Sequence, residues 1–119
     1  KHFETKPTWV MCPESNRYIS GIVPPVALYR ELGAQIAIGT DSLASNDSLS
    51  MIEEIKALGD LPLAEVIKWA TINGAHALGI EEKMGSIEVG KEPGLVLIEG
   101  VEMTDRLRLT PSATSRRII

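Results

Sequence analysis

The sequence predicts an α/β fold, and three observations carry that prediction. Two short apolar runs, Trp9 to Met11 and Ile36 to Ile38, have the length and composition of strands, the second suited to burial on both faces. A segment with helical spacing lies between them. From Gly85 onward the pattern becomes a period-two alternation between glycines, so a small β region is expected after the α/β body.

The first strand should stop at Cys12-Pro13, because proline has no amide hydrogen for a ladder. Pro13 to Pro25 reads as a long loop with Ser15, Asn16, Ser20 and Gly21 as turn formers, and loops of that length are more often functional than short ones. A helix is expected over Pro24 to Leu32, with proline in its first turn, apolar Val26, Leu28, Tyr29 and Leu32, and Gly33 just past its end. Strand, loop, helix, strand is a βαβ unit with parallel strands and a right-handed crossover. Both strand-to-helix loops leave from carboxyl ends of strands, so this topology brings Ser15, Asn16 and Asp41 to one end of the sheet.

Beyond the second strand, Ser50 and Glu53 have capping-box spacing, with Asp47 and Ser48 as equal candidates for the cap. Leu49, Ile52 and Ile55 form a helical stripe, which leaves Glu53, Glu54 and Lys56 for the solvated face. Asp60-Leu61-Pro62 opens another helix, in which Leu63, Val66, Ile67 and Ala70 recur at i, i+3, i+4 and i+7. Thr71 to Gly74 interrupts it, and Ala75 to Leu78 resumes as a short helix ending near Gly79. In the β region, Gly85 to Gly90 alternates, Leu95 to Ile98 is a strand, and Leu107, Leu109, Ile118 and Ile119 mark edge strands. Pro93-Gly94 reads as a turn and Thr110 to Ser115 as a polar loop. The division falls between residues 1–80 and residues 81–119.

Composition narrows the function classes. The 119 residues are 44% hydrophobic, ordinary for a globular domain. A net charge of -4 with interleaved signs argues against a nucleic-acid surface, which needs a clustered basic face. One cysteine, Cys12, forms no internal disulfide, and no apolar run approaches the ~20 residues of a membrane span. No signal-peptide pattern is present, so a soluble, cytoplasmic protein is expected. The chain opens on Lys1, close to a strand and without methionine, and reads as a segment from within a longer protein.

Asp41 is the candidate functional residue. It stands where the second strand should end, with Gly39 and Thr40 letting the backbone turn and the small polar loop Ser42 to Asn46 following. In α/β folds that edge is where chemistry is usually built. Spacing alone leaves a second reading open, in which Asp41 only completes a turn. Cys12 has no second Cys or nearby His at ligand spacing and reads as a structural thiol, and His76 is an isolated helical histidine set outside the site.

Four blocks together resemble a known family: WVMCPESNRYISG from Trp9 to Gly21, GTDSLASN from Gly39 to Asn46, WATINGAHA from Trp69 to Ala77, and GSIEVGK from Gly85 to Lys91. In this order they are similar to the carboxyl-terminal third of the amidohydrolase superfamily, within it the chlorohydrolase, cytosine deaminase and adenosine-type deaminase branch. The resemblance covers nearly the whole chain. It implies that residues 1–80 are strands seven and eight of a metal-dependent (β/α)8 TIM barrel with their following helices. It implies that residues 81–119 belong to a small β-sandwich formed by both ends of the parent. Asp41 matches the aspartate at the end of strand eight, which serves catalysis and touches the metal or its water. Ser15 and Asn16 match the loop after strand seven, at the substrate mouth. Pro93 and Gly94 depart from the usual alanine and aspartate. The histidine ligands of strands one, five and six have no counterpart, since His2 and His76 do not match them in context.

The implied activity is metal-dependent hydrolysis, as an aminohydrolase acting on a purine- or pyrimidine-like small molecule. The implied cofactor is a divalent metal, zinc first and iron as the other candidate. A hydrolytic metal needs several protein ligands and an open position, and one Asp cannot hold it. The fragment alone is therefore expected to be inactive. The alternative reading is a non-catalytic α/β module that self-associates through exposed strand edges. Either way a homo-oligomer is expected, because two strands are too few to close a barrel.

Overall fold

Residues 5–119 are described by a computed structural model of the chain. The first apolar run forms β1 (Thr8–Met11) and the second forms β2 (Gln35–Ile38). They pair in parallel, with Trp9 opposite Ile36 and Met11 opposite Ile38. Ile36, Ala37 and Ile38 are all buried, which accounts for the absence of polar residues in that run. β1 differs along its length: Met11 is buried, whereas Trp9 and Val10 are 46% and 59% exposed.

The expected loop after β1 is largely a helix, α1 (Pro13–Ser20). Pro13 occupies the first turn, where its fixed φ fits and its missing N–H costs nothing. Glu14 in the first turn and Arg17 in the last suit the helix dipole, and Gly21, at φ 71, ends the helix with its amide on the Arg17 carbonyl. These end signals outweigh the turn preferences of Ser15 and Asn16. The next helix, α2 (Val26–Glu31), is shorter than the expected Pro24 to Leu32 because Pro25 is its N-cap.

Helix α3 (Met51–Ala57) follows Ser50 as N-cap, but no side-chain cap hydrogen bond forms, so the capping box is not used. Instead the Glu53 amide donates to the Ser50 carbonyl at 3.1 Å. Of the expected stripe Ile52 and Ile55 are buried, and the correction concerns Leu49 and Glu54. Leu49 is 60% exposed and Glu54, assigned from sequence to the solvated face, is 0% exposed. Ile52 and Ile55 are buried, with Met51 and Leu58 partly buried against the core, and Glu54 falls on the same side, at i+3 from Met51 and i−4 from Leu58.

Helices α4 (Leu63–Ala70) and α5 (Ile72–Leu78) follow. Their break is confined to Thr71, at φ -131 and ψ -94, rather than extending through Gly74. The Thr71 hydroxyl donates to the Ile67 carbonyl, and Asn73 Nδ2 donates to the Ile36 carbonyl at 2.7 Å, fastening α5 to β2. His76 is exposed, with Nδ1 3.5 Å from Glu81 Oε1; His2 lies outside the described residues.

The β region holds β3 (Val96–Met103) and β4 (Leu107–Arg117), an antiparallel pair. Gly85 to Gly90, expected to be strand-like, is not a strand. Among the described residues its alternation has no partner strand, and Gly85 lies so close to α5 that a Cβ would meet the Ala75 Cβ at 2.7 Å. Thr110 to Ser115, expected as a polar loop, lies inside β4, with Ser115 opposite Ile98 and Thr114 opposite Glu99. Ladder bonds are made by the backbone, which a polar, half-exposed strand permits. Ile98 and Leu109 pack against a core built on Ile36, Ile55, Val66 and Trp69. Arg106 and Arg108 pair with Asp60 in the α3–α4 turn, joining the hairpin to the helices.

Candidate active site

The ladder of β1 and β2 ends at Gly39, whose amide donates to the Met11 carbonyl at 2.9 Å. A Cβ on Gly39 would stand 3.3 Å from Val10 Cγ1 and 3.4 Å from Cys12 Sγ, so glycine lets the two strand ends close up. Two residues later Asp41 has φ 57, alone among the described non-glycine residues in the left-handed region. That conformation costs an L-residue roughly 1–2 kcal/mol, and Asp tolerates it better than most.

Asp41 is exposed, and its Oδ2 is held from helix α1 and from its own loop. Ser15 Oγ donates to it at 2.9 Å and Ser45 Oγ at 3.0 Å, while the two hydroxyl oxygens lie 2.9 Å apart. Two hydroxyl protons serve three oxygen–oxygen contacts, and the carboxylate, which only accepts, draws both. These bonds favour the charged form. Ser15 first and Ser45 second hold the Asp41 carboxyl below the usual carboxylate range, against a smaller desolvation effect and with help from the Ser42 backbone. Asp41 is therefore an ionised, oriented carboxylate at neutral pH.

Of the residues expected at the site, the structure brings Ser15 and Asp41 into direct contact. Ser15 is 3% exposed and its hydroxyl faces Asp41 and Ser45. Asn16, the next residue of α1, is exposed and lies outside this hydrogen-bonded group, its backbone amide on the Cys12 carbonyl. Burial pushes the Cys12 thiol up, the charges of Asp41 and Glu54 push it further, and backbone amides of Asp41 and Gly39 oppose them. Cys12 is thus a protonated structural thiol at neutral pH.

Sequence reasoning missed Ser45, Asn46 and Glu54. Asn46 Nδ2 donates to the Thr40 carbonyl at 2.9 Å and to Glu54 Oε1, while Glu54 Oε2 accepts the Glu14 amide at 2.9 Å. The signal for Glu54 was its place among Met51, Ile55 and Leu58; Ser45 and Asn46 sit in a polar loop whose composition does not mark which members turn inward.

Among the described residues no group of three or more His, Cys, Asp or Glu comes together to hold a metal. Asp41 is one candidate ligand, so the described residues do not by themselves form a metal centre. Among them, too, no helix is long and apolar enough to cross a membrane.

The amidohydrolase family model matches residues 3–116. The chain is 37% identical to the 5-methylthioadenosine/S-adenosylhomocysteine deaminase of Moorella thermoacetica, over 74% of this chain and 23% of the relative. It is 41% identical to the protein of the same name from Thermoanaerobacter pseudethanolicus, over 81% of this chain and 25% of the relative. It superposes on a crystal structure of an adenosine deaminase from Xanthomonas campestris with bound zinc at a TM-score of 0.67 and 36% identity, covering 75% of this chain and 23% of that one. The chain spans about a quarter of the length of these relatives. With mixed α/β structure, a buried parallel strand pair and a family match along nearly all its length, the chain belongs to the amidohydrolase family.

Proposed function

We propose that this chain is part of a metal-dependent aminohydrolase that removes an amino group from a purine- or pyrimidine-like small molecule. In this reading residues 1–80 supply strands seven and eight of a (β/α)8 barrel with their helices, and residues 81–119 supply part of a small β-sandwich. The observation that carries it is the Asp41 carboxylate at the carboxyl end of β2, oriented by Ser15 and Ser45, in a chain of this family. Three similar proteins named as deaminases of adenine-bearing nucleosides favour a purine nucleoside as substrate.

A bound divalent metal, zinc in the Xanthomonas relative, supplies a Lewis acid that makes a water-derived nucleophile available near neutral pH. Asp41 would be the ligand this chain contributes, and a carboxylate suits zinc or iron alike. The chain's own step is proton movement. Asp41, ionised and fixed through Oδ2, takes a proton from the attacking water and returns it to the amine that leaves as ammonia. Ser15 holds that carboxylate in place, and exposed Asn16 beside it is the substrate-facing group of α1. A single cysteine and the small-molecule chemistry suit a cytoplasmic enzyme, with no nucleic-acid or membrane partner.

The test is ammonia release from adenosine and 5-methylthioadenosine by the full-length, zinc-loaded protein. Turnover that depends on Asp41 is expected. Absence of turnover on any amino-purine or amino-pyrimidine would sink the reading.

A further inference from the structure

Glu54 is fully buried, and the proton transfer above does not use it. Burying a carboxylate is costly unless its oxygens are bonded, and here both are. One accepts the Glu14 amide at 2.9 Å and the other accepts the Asn46 side-chain amide. Asn46, itself buried, also donates to the Thr40 carbonyl at 2.9 Å, and its own side-chain oxygen accepts the Ser48 amide at 3.2 Å. The tied groups flank the site: Glu14 precedes Ser15, and Thr40 precedes Asp41.

We propose that Glu54 is a positioning residue for Asp41, its carboxylate gathering the start of α1 and the loop after β2 so that Ser15 and Asp41 meet. The proposal rests on the reading of Asp41 given above. Only an acceptor at both oxygens serves here, because the two groups facing Glu54 are both N–H donors. A glutamine of equal size would set its own NH2 against one of them. One of the two ties would then break, and the left-handed backbone at Asp41 would lose the restraint that Asn46 places on Thr40.

In the full-length, zinc-loaded protein, Glu54→Gln is compared with wild type, Asp41→Asn and Ile52→Ala. Ile52 is a buried apolar residue of the same helix that makes none of these hydrogen bonds. For Glu54→Gln we expect kcat to fall about tenfold or more with KM within about threefold, and zinc loss to EDTA to quicken about tenfold, as for removal of an outer support of a metal ligand. Ile52→Ala should lower the melting temperature as much while keeping kcat and zinc retention near wild type. If Glu54→Gln does not fold, Asn46→Ala breaks the same tie from the loop side and is judged by the same readouts. Wild-type kcat and zinc retention in Glu54→Gln would overturn the proposal, as would equal losses in Ile52→Ala. So would failure of both tie-breaking variants to fold while Ile52→Ala folds, since Glu54 would then serve stability alone. An enzyme indifferent to Asp41→Asn removes the reading of Asp41 itself, whereas one that needs Asp41 but not Glu54 removes only this inference.

Discussion

Ser15 Oγ lies 2.9 Å from Asp41 Oδ2, a contact that joins the helix after β1 to the residue beyond β2 across 26 positions of sequence. It forms because β1 and β2 run parallel and in register, so their following segments leave from the same end of the sheet. Ser15, expected at the substrate mouth, donates its hydroxyl proton to the carboxylate of Asp41.

Ser15→Ala should raise the pKa of Asp41, because the first cause of its depression is the Ser15 hydrogen bond. The sign for stability follows from the depressed folded value. The Asp41 contribution is fully present above the unfolded pKa of about 3.9 and is lost as pH falls through the lower folded value. Wild type and Ser15→Ala should therefore differ most in unfolding at neutral pH and converge in strong acid. Carboxyl carbon NMR of the metal-free chain reads the titration directly. An unchanged Asp41 curve would show that Ser15 does not hold it.

Those parts of the fold were legible in sequence whose residues have one dominant preference. Ile36 to Ile38 had the length and bounding glycines of a buried strand, and Leu63 to Ala70 repeats its apolar residues at helical spacing. α1 was hidden because Ser15 and Asn16 favour turns, although Pro13 and Gly21 carried the helix ends. β4 was hidden because ladder bonds belong to the backbone and leave little mark on TPSATS. In the site, the place of Asp41 after a strand left a turn residue open, and the resemblance of GTDSLASN to the family is what singled it out. Glu54 was not legible, since a carboxylate between Glu53 and Lys56 looks solvated until its partners, Glu14 and Asn46, are brought in by the fold.

The isolated 119-residue chain should self-associate. Among the described residues β1 has only β2 as a partner, and Trp9 and Val10 on it are about half exposed, together with Ile19, Ile22 and Leu32 on the segments that follow. Paired edges and shared apolar surface would cover these groups. Sedimentation equilibrium over a dilution series should show oligomers. A single monomeric species throughout would count against this expectation.

The isolated chain should also fail to keep zinc. Asp41 is not joined by two further ligands among the described residues, and one carboxylate does not dehydrate and hold the ion against competing water. Dialysis followed by elemental analysis should leave well under one zinc per chain. Stoichiometric zinc that disappears on Asp41→Ala would prove the expectation wrong, whereas loss of weak zinc on His2→Ala would only assign that zinc to His2.

Asp41→Asn in the full-length protein separates a catalytic carboxylate from a turn residue. Asn has the same size and tolerates the left-handed backbone that Asp41 adopts at φ 57, so a residue needed only for the turn should accept it within about 0.5 kcal/mol. Its side-chain oxygen can still accept from Ser15 and Ser45, so the loop has no reason to move. What the amide cannot do is take up a proton at neutral pH and give it back. Turnover should therefore fall by about two to four orders of magnitude, the range general acid–base catalysis contributes, while the melting temperature stays close to wild type. Metal content recorded in parallel separates lost proton transfer from lost zinc. A metal-replete Asp41→Asn enzyme working within a few-fold of wild type would return Asp41 to the role of a turn residue and move the proton transfer to another group.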